Sequence, residues 1–385
     1  MKDPKILFLI RHFTPDSGYG GPINSLNGIL KLGVNSGNNF VITSNRYFRS
    51  NMVMDVTSDR WISYSGSSIF YSSGYLKLLI EILKFRFDTI YLNGLFSPGY
   101  SIVPFILCLL FTNKNIIIAP RSELSAECLK IKREKKVVFL YFFKFIYKIF
   151  NHRIKWHSTN NDETNSIREV LSINKINVVL AENISLDSQE VAKKIINESK
   201  EFLFNQEKVK VIFASRISKK KNLLKTIMIF KYLPSFWILD IVGTIDDKEE
   251  WIKCFNFINE NKLQERITYK GVITTHQIIE SYFEYNIAIL LTSNENYGHS
   301  IAEALATGIP LITTQNHPWI DVCYKSNNLI INIMNENYEI SRDIQTWYSN
   351  VSKDFTTHRK KSAMNYLEKE NPESAYLNYK KLFNN

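Results

Sequence analysis

Asn286–Asn294 reads NIAILLTSN, Glu295–Glu303 reads ENYGHSIAE, and ALATGIPLITT carries the chain on to Thr314. An apolar β-type run ends in polar residues, Gly298 permits a tight turn, and a helical pattern opens near Ser300. Gly308 closes that helix, Pro310 follows, and PLITT is the next strand. Strand, helix and strand at this spacing form a βαβ unit, which implies parallel strands with the helix laid across them. Two carboxylates, Glu295 and Glu303, bracket the turn, and two readings of them stand. Ser300-Ile-Ala-Glu303 fits a capping box. Alternatively both carboxylates grip one ligand at a helix N-terminus, Glu295 acting with the amides of Asn296, Tyr297, Gly298 and His299. A carboxylate accepts two hydroxyl donors, as a sugar or a ribose presents them.

The same alternation extends in both directions. Strands are expected near KILFLI, FVITS, TIYLN, NIIIAP, IKWHST and NVVLAE, then near VKVIFAS, WILDIVG, RITYKG, NIAILLTS and PLITT. Helical patterns separate them, so the fold class is α/β with parallel sheets covered on both faces. A chain of 385 residues exceeds one ordinary core. Two doubly wound domains are expected, at 1–190 and 208–365. Residues 191–207 would be the linker, within the polar stretch Ser185–Lys208, and 366–385 a C-terminal helix packing back on the first domain. Two such domains would face a cleft lined by loops at the strand C-terminal ends.

Four scattered cysteines, Cys108, Cys128, Cys254 and Cys323, form no C-x-x-C pair, which fits a reducing cytosol. MKDPKILFLIRHF reads as a first strand rather than a signal peptide. The longest uncharged apolar run, Ser101–Thr112, is short of the ~20 residues of a spanning helix. The net charge of +11 is local: Lys130–Lys155 holds nine basic residues and one acid, Glu134. One anionic surface partner is indicated.

In the second half, VKVIFAS runs into Arg216-Ile-Ser-Lys-Lys-Lys221, and Asn222 opens a helical pattern. Cations at a strand end beside a helix N-terminus suit an anion, because free N–H groups and the macrodipole add to the side-chain charge. The plainer reading is a solvated basic turn.

Arg-x4-Lys at Arg216/Lys221 followed by Glu-x7-Glu at Glu295/Glu303 resembles the retaining nucleotide-sugar glycosyltransferases of family four (glycosyl transferases group 1), which have the GT-B fold. ENYGHSIAEALATGIPLITTQNHPW resembles the family's diagnostic segment, and GYGGPINSLNGIL its glycine-rich loop. WHSTNNDETNSIREVL and VVLAENISLD resemble later landmarks of its N-terminal domain, so the likeness covers nearly the whole chain. The resemblance implies that Arg216 and Lys221 bind the donor diphosphate and Glu303 the ribose. It implies that Glu295 and the amides of Asn296 to His299 hold the sugar, and that Gly20 and Gly21 admit the diphosphate. Gly20-Gly21-Pro22 also reads as a plain turn with proline at N1.

The chain departs from the family at NIIIAPRSELS, where Arg121 stands in place of a cleft histidine and Ser122 where glycine is commoner. Arg121 is therefore either catalytic or half of a structural ion pair with Glu123. His12, His157 and His317 lack cysteine or carboxylate at ligand spacing, and Asp246-Asp247 is not a D-x-D pair. No metal and no cofactor are expected, and the leaving diphosphate would be neutralised by Arg216, Lys221 and helix N-termini.

The stretch KIKREKKVVFLYFFKFIYKIFNHRIK places Lys144 and Lys148 in a narrow stripe among Phe142, Phe143, Phe145, Tyr147 and Phe150. Such a helix either lies on anionic lipid with its lysines snorkelling or packs in the domain with two lysines exposed. Its aromatics follow apolar helix faces rather than a stacking track, which argues against a nucleic-acid partner. The expected function is transfer of a sugar, with retention, from a nucleotide sugar to a glycan on a polyprenyl diphosphate. It would serve bacterial surface polysaccharide synthesis (O-antigen, capsule or exopolysaccharide) by a cytoplasmic enzyme peripheral at the inner membrane face. The alternatives are a nucleotide-sugar epimerase on the same fold and a non-enzymatic basic protein that binds membrane or nucleic acid.

Overall fold

A computed structural model of the chain describes residues 3–14, 21–46, 53–130, 133–172, 177–198 and 207–384. The chain divides into two compact units, one comprising 1–15, 22–184 and 372–385, the other 16–21 and 185–371.

The first unit is built on strands β1 (Ile6–Leu9), β2 (Asn39–Ser44), β3 (Trp61–Tyr64), β4 (Ser67–Ser72), β5 (Thr89–Asn93), β6 (Asn115–Ala119), β7 (Ile154–Ser158) and β8 (Val178–Leu180). Between them run α1 (Gly21–Lys31), α2 (Tyr75–Lys84), α3 (Val103–Phe111), α4 (Ala126–Lys130), α5 (Arg133–Phe150) and α6 (Asn161–Leu171). Strand order is β3-β4-β2-β1-β5-β6-β7-β8. All pairs are parallel except β3 with β4, a hairpin turning at Ser65-Gly66 with both residues at positive φ. The sequence reading lacked this hairpin because β3 is a half-exposed edge strand without strong alternation.

The second unit opens with α7 (Leu186–Asn197) and continues β9 (Val209–Ala214), α8 (Leu223–Phe230), β10 (Trp237–Val242), α9 (Lys248–Glu260), β11 (Ile267–Gly271) and α10 (Thr275–Ser281). It ends with β12 (Ile287–Leu290), α11 (His299–Thr307), β13 (Leu311–Thr313), α12 (Ile320–Lys325), β14 (Leu329–Ile330), α13 (Asn337–Val351) and α14 (Phe355–Lys369). The order β11-β10-β9-β12-β13-β14 is wholly parallel. Each sheet is doubly wound, so its strand order reverses at one point, where crevices open outside the strand C-termini. In the second unit that point lies between β9 and β12.

Of the stretch read as a linker, 191–197 is the end of α7, and 199–206 lie outside the described residues. Ala192 and Ile195 of α7 are buried with Ala302, Leu305 and Tyr366 in the second core, which moves the division to Ile184/Ser185. The last helix, α15 (Pro372–Phe383), belongs to the first unit: Tyr379 and Phe383 pack on His157, Phe8 and Tyr91. No helix among the described residues is long and apolar enough to cross a membrane.

Candidate functional site

The loops after β9 and β12 are stitched together. Asn222, left-handed at φ 51° at the head of α8, donates its side-chain amide to the Leu291 carbonyl (2.7 Å) and to Ser293 Oγ (3.0 Å). Ser293 N–H donates to the Lys220 carbonyl at 2.9 Å. Across this seam the Lys221 ammonium meets the Glu295 carboxylate, each side chain only 13% exposed. Burial pulls the Lys221 pKa down, against the Glu295 charge. Burial pushes Glu295 up, but the Lys221 charge and hydrogen bond outweigh it and hold its pKa low.

Arg216 leaves the end of β9 half-exposed and donates to Asp246 Oδ2 at 2.9 Å. Asp246 follows β10, the neighbour of β9, and accepts the Thr244 hydroxyl at 3.1 Å. The sequence reading weighed Asp246 only as half of an Asp-Asp pair without D-x-D spacing, not as a partner of Arg216. Parallel pairing of β9 with β10 was the signal that puts the two loops side by side.

Gly298 precedes α11 at φ 81°, and a Cβ there would lie 3.4 Å from Glu295 Cβ and Cγ. The helix begins at His299 with Gly298 as its N-cap and no side-chain cap, so the Ser300–Glu303 capping box does not form. A left-handed glycine turns the chain two residues earlier than a serine cap at 300 would. Glu303 is instead buried in the second turn, with no hydrogen-bond or ion-pair partner among the described residues. Burial, then the Asp187 charge, pushes its pKa up to about 8.

Tyr297 turns its side chain inward, its hydroxyl donating to Glu370. His299 has its ring 4.5 Å from that of Tyr297. Asn296 lies half-exposed in the loop between them and Glu295. Gly21 opens α1, and Gly20 lies outside the described residues.

In the first unit Arg121 makes no ion pair with Glu123. Its guanidinium donates to Asn93 Oδ1 (2.7 Å), Asn183 Oδ1 (3.0 Å) and the Tyr91 hydroxyl (2.9 Å). Glu123 is taken up by the N–H groups of Leu95 and Phe96, at 2.6 and 3.0 Å. Two adjacent left-handed residues, Arg121 (φ 55°) and Ser122 (φ 65°), turn the side chains of 121 and 123 to different partners. Tyr91 also pairs with the buried His157, whose pKa falls to about 3 through burial and the Arg121 charge.

Helix α5 packs on the first unit along one face and leaves the other exposed. Leu140, Phe143 and Tyr147 are buried in the first core. Val137, Val138, Phe142, Phe145 and Ile149 remain exposed beside Lys148, with Lys144 half-buried, and Tyr141 is 81% exposed.

Residues 194–358 match the model of the family Glycosyl transferases group 1. Over this span the second unit is similar to group 1 glycosyltransferases. The loops of Arg216, Lys221, Glu295 and Glu303 all fall inside the matched span. An uncharacterised 41.2 kDa protein in the cps region of Klebsiella pneumoniae is 24% identical over 258 residues, and the match spans 65% of this chain and 66% of that relative. Sucrose-phosphate synthase of Thermosynechococcus elongatus superposes with a TM-score of 0.72 at 16% identity, covering 98% of both chains. HepE of Anabaena, solved with UDP and glucose, gives 0.67 at 12%, covering 98% of this chain and 99% of its own. WaaG, a glycosyltransferase of lipopolysaccharide biosynthesis, gives 0.60 at 10% with the same coverage. At these identities the likeness is one of fold, the GT-B fold of two Rossmann-like domains.

Proposed function

We propose that this protein transfers a sugar, with retention and without a metal, from a nucleotide diphosphate to a glycan hydroxyl. The buried, unpartnered carboxyl of Glu303 carries the reading, because it lies at the switch point of the unit similar to group 1 glycosyltransferases and suits the hydroxyls of a ribose. Arg216 and Lys221 receive the diphosphate, Lys221 exchanging the Glu295 carboxylate for phosphate. Glu295, released, and the amides of Asn296 to His299 at the head of α11 hold the sugar. Charge growing on the leaving diphosphate is met by the two cations and the helix N-terminus. The acceptor hydroxyl attacks on the face the diphosphate leaves, and the diphosphate takes up its proton. Arg121, held by three neutral acceptors, presents a fixed positive charge on the acceptor side.

The acceptor we propose is a polyprenyl-diphosphate-linked glycan at the cytoplasmic face of the membrane, in surface polysaccharide synthesis. The cps-region relative and the fold shared with WaaG support that setting. The exposed aromatics of α5 with Lys144 and Lys148 support docking on anionic lipid.

The test is a thermal-shift panel of UDP-, GDP- and dTDP-sugars, followed by a transfer assay. A donor at a hundred times its Kd adds about 2.7 kcal/mol of stability. No shift with any nucleotide sugar overturns the reading. Interconversion of the free donor without transfer replaces it with an epimerase.

A further inference from the structure

No helix or strand spans the chain between Leu290 and His299, so the path of the donor loop depends on what anchors it. Tyr297 is anchored at two points. Its carbonyl accepts the indole N–H of Trp319 at 2.6 Å, and its hydroxyl donates to Oε1 of Glu370, 73 residues away. Trp319 stacks on Tyr366, with centroids 5.3 Å apart and planes 22° from parallel. The Tyr366 hydroxyl donates to Oε2 of the same Glu370. Tyr297, Trp319, Tyr366 and Glu370 thus close a circuit beneath the loop. Glu370 also accepts the Ser185 N–H at 3.2 Å and the Gln189 amide at 3.3 Å, which ties the circuit to the first turn of α7.

An apolar residue at 370 would take the acceptor from two buried phenols, the Ser185 N–H and the Gln189 amide. What the carboxylate adds is direction, since each of its oxygens receives one tyrosine and one donor of α7. Tyr297 is thereby held both at its ring hydroxyl and at its carbonyl, which fixes the peptide plane leading into Gly298.

We propose that Glu370 is a positioning residue for the donor loop, orienting the loop amides toward the sugar through the Tyr297 hydroxyl. The inference rests on the donor reading above. Glu370 itself touches no donor atom.

The experiment is isothermal titration of wild type, Tyr297→Phe, Glu370→Gln and the double variant. Two probes are used: the nucleotide sugar with the largest thermal shift in the panel, and its parent nucleoside diphosphate. Each single variant is expected to weaken nucleotide-sugar binding about tenfold, the scale of one hydrogen bond to a charged group, and to leave nucleoside-diphosphate binding within about twofold. The double variant should be no weaker than the worse single one, because both break the same link. Tyr297→Phe keeps the ring packing, so the comparison stands even if Glu370→Gln does not fold. If wild type prefers the nucleotide sugar and the variants keep that preference at lower Tm, Glu370 is only structural and the donor reading survives. If wild type binds sugar and bare diphosphate equally, the loop does not hold the sugar and the inference falls. If wild type binds no nucleotide sugar, both fall.

Discussion

Lys221 and Glu295, 74 residues apart, form an ion pair that is almost wholly buried where the β9 and β12 loops meet. Read separately, each had its own part of the donor to hold; in the fold they hold each other. Lys221→Met should therefore cost about 3–5 kcal/mol in urea unfolding, because it strands a buried carboxylate. Lys221→Met with Glu295→Leu should cost clearly less than Lys221→Met alone. Simple additivity of the two single changes would mean that the pair is solvated and not coupled.

Arg216 offers a contrast, since its pair with Asp246 leaves the guanidinium 43% exposed. Arg216→Ala should change stability by less than about 1 kcal/mol. It should cut kcat by about 10²–10³-fold if the cation meets charge on the leaving diphosphate. Activity is expected to persist in EDTA. Loss in EDTA with recovery on adding Mn²⁺ or Mg²⁺ would refute the metal-free step.

Glu303 links stability to pH. Burial and then Asp187 raise its pKa to about 8 from 4.5, so the unfolded chain releases this proton first. Between those values the folded state binds the extra proton, and stability falls as pH rises. Below the unfolded value the contribution is complete; above about 8 it is lost. The buried His157, His317 and His358, held low chiefly by burial, act oppositely below their ordinary 6.5, so the informative quantity is a difference. Glu303→Gln should gain on wild type steadily as pH rises through this window. A constant difference in Tm would show that Glu303 is ionised throughout. Ribose hydroxyls donating to the carboxylate should also expel the proton, which calorimetry in two buffers of different ionisation enthalpy detects.

Ser122, left-handed at φ 65°, keeps its N–H on Glu163 Oε1 at 2.7 Å. Glycine adopts that backbone without the Cβ penalty, though it loses more freedom on folding. Ser122→Gly is expected to raise stability by up to about 1 kcal/mol, and Ser122→Val to lower Tm. A loss on Ser122→Gly would locate a contribution in the serine side chain.

Vesicle binding separates the two components of α5. Each lysine near an anionic surface is worth ~1 kcal/mol. Lys144→Glu with Lys148→Glu should thus weaken binding by roughly two orders of magnitude or more at low salt. Tyr141→Ser with Phe145→Ser should weaken it at high salt as well, because apolar insertion is not screened. Wild-type binding by both double variants would leave α5 an ordinary packed helix.

Much of this protein is local and therefore legible in its sequence. NIAILLTS and PLITT are apolar runs long enough to demand burial on both faces, so parallel sheets follow. Arg216, Lys221, Glu295 and Glu303 each stand just after a strand or within the helix it feeds, which brings them to one sheet edge. Chain spacing carried no information about what those residues touch. That Lys221 meets Glu295, Arg216 meets Asp246, and Arg121 turns to Asn93 and Asn183 depends on strand order and on left-handed residues such as Arg121 and Ser122. Gly298 displaced the predicted cap by two residues and left Glu303 buried instead of capping. Glu370 lay beyond any sequence signal, since a lone glutamate before a proline-led helix looks solvated. Only tertiary packing surrounds it with Tyr297, Tyr366, Gln189 and Ser185, because a buried carboxylate persists where several distant donors converge on it.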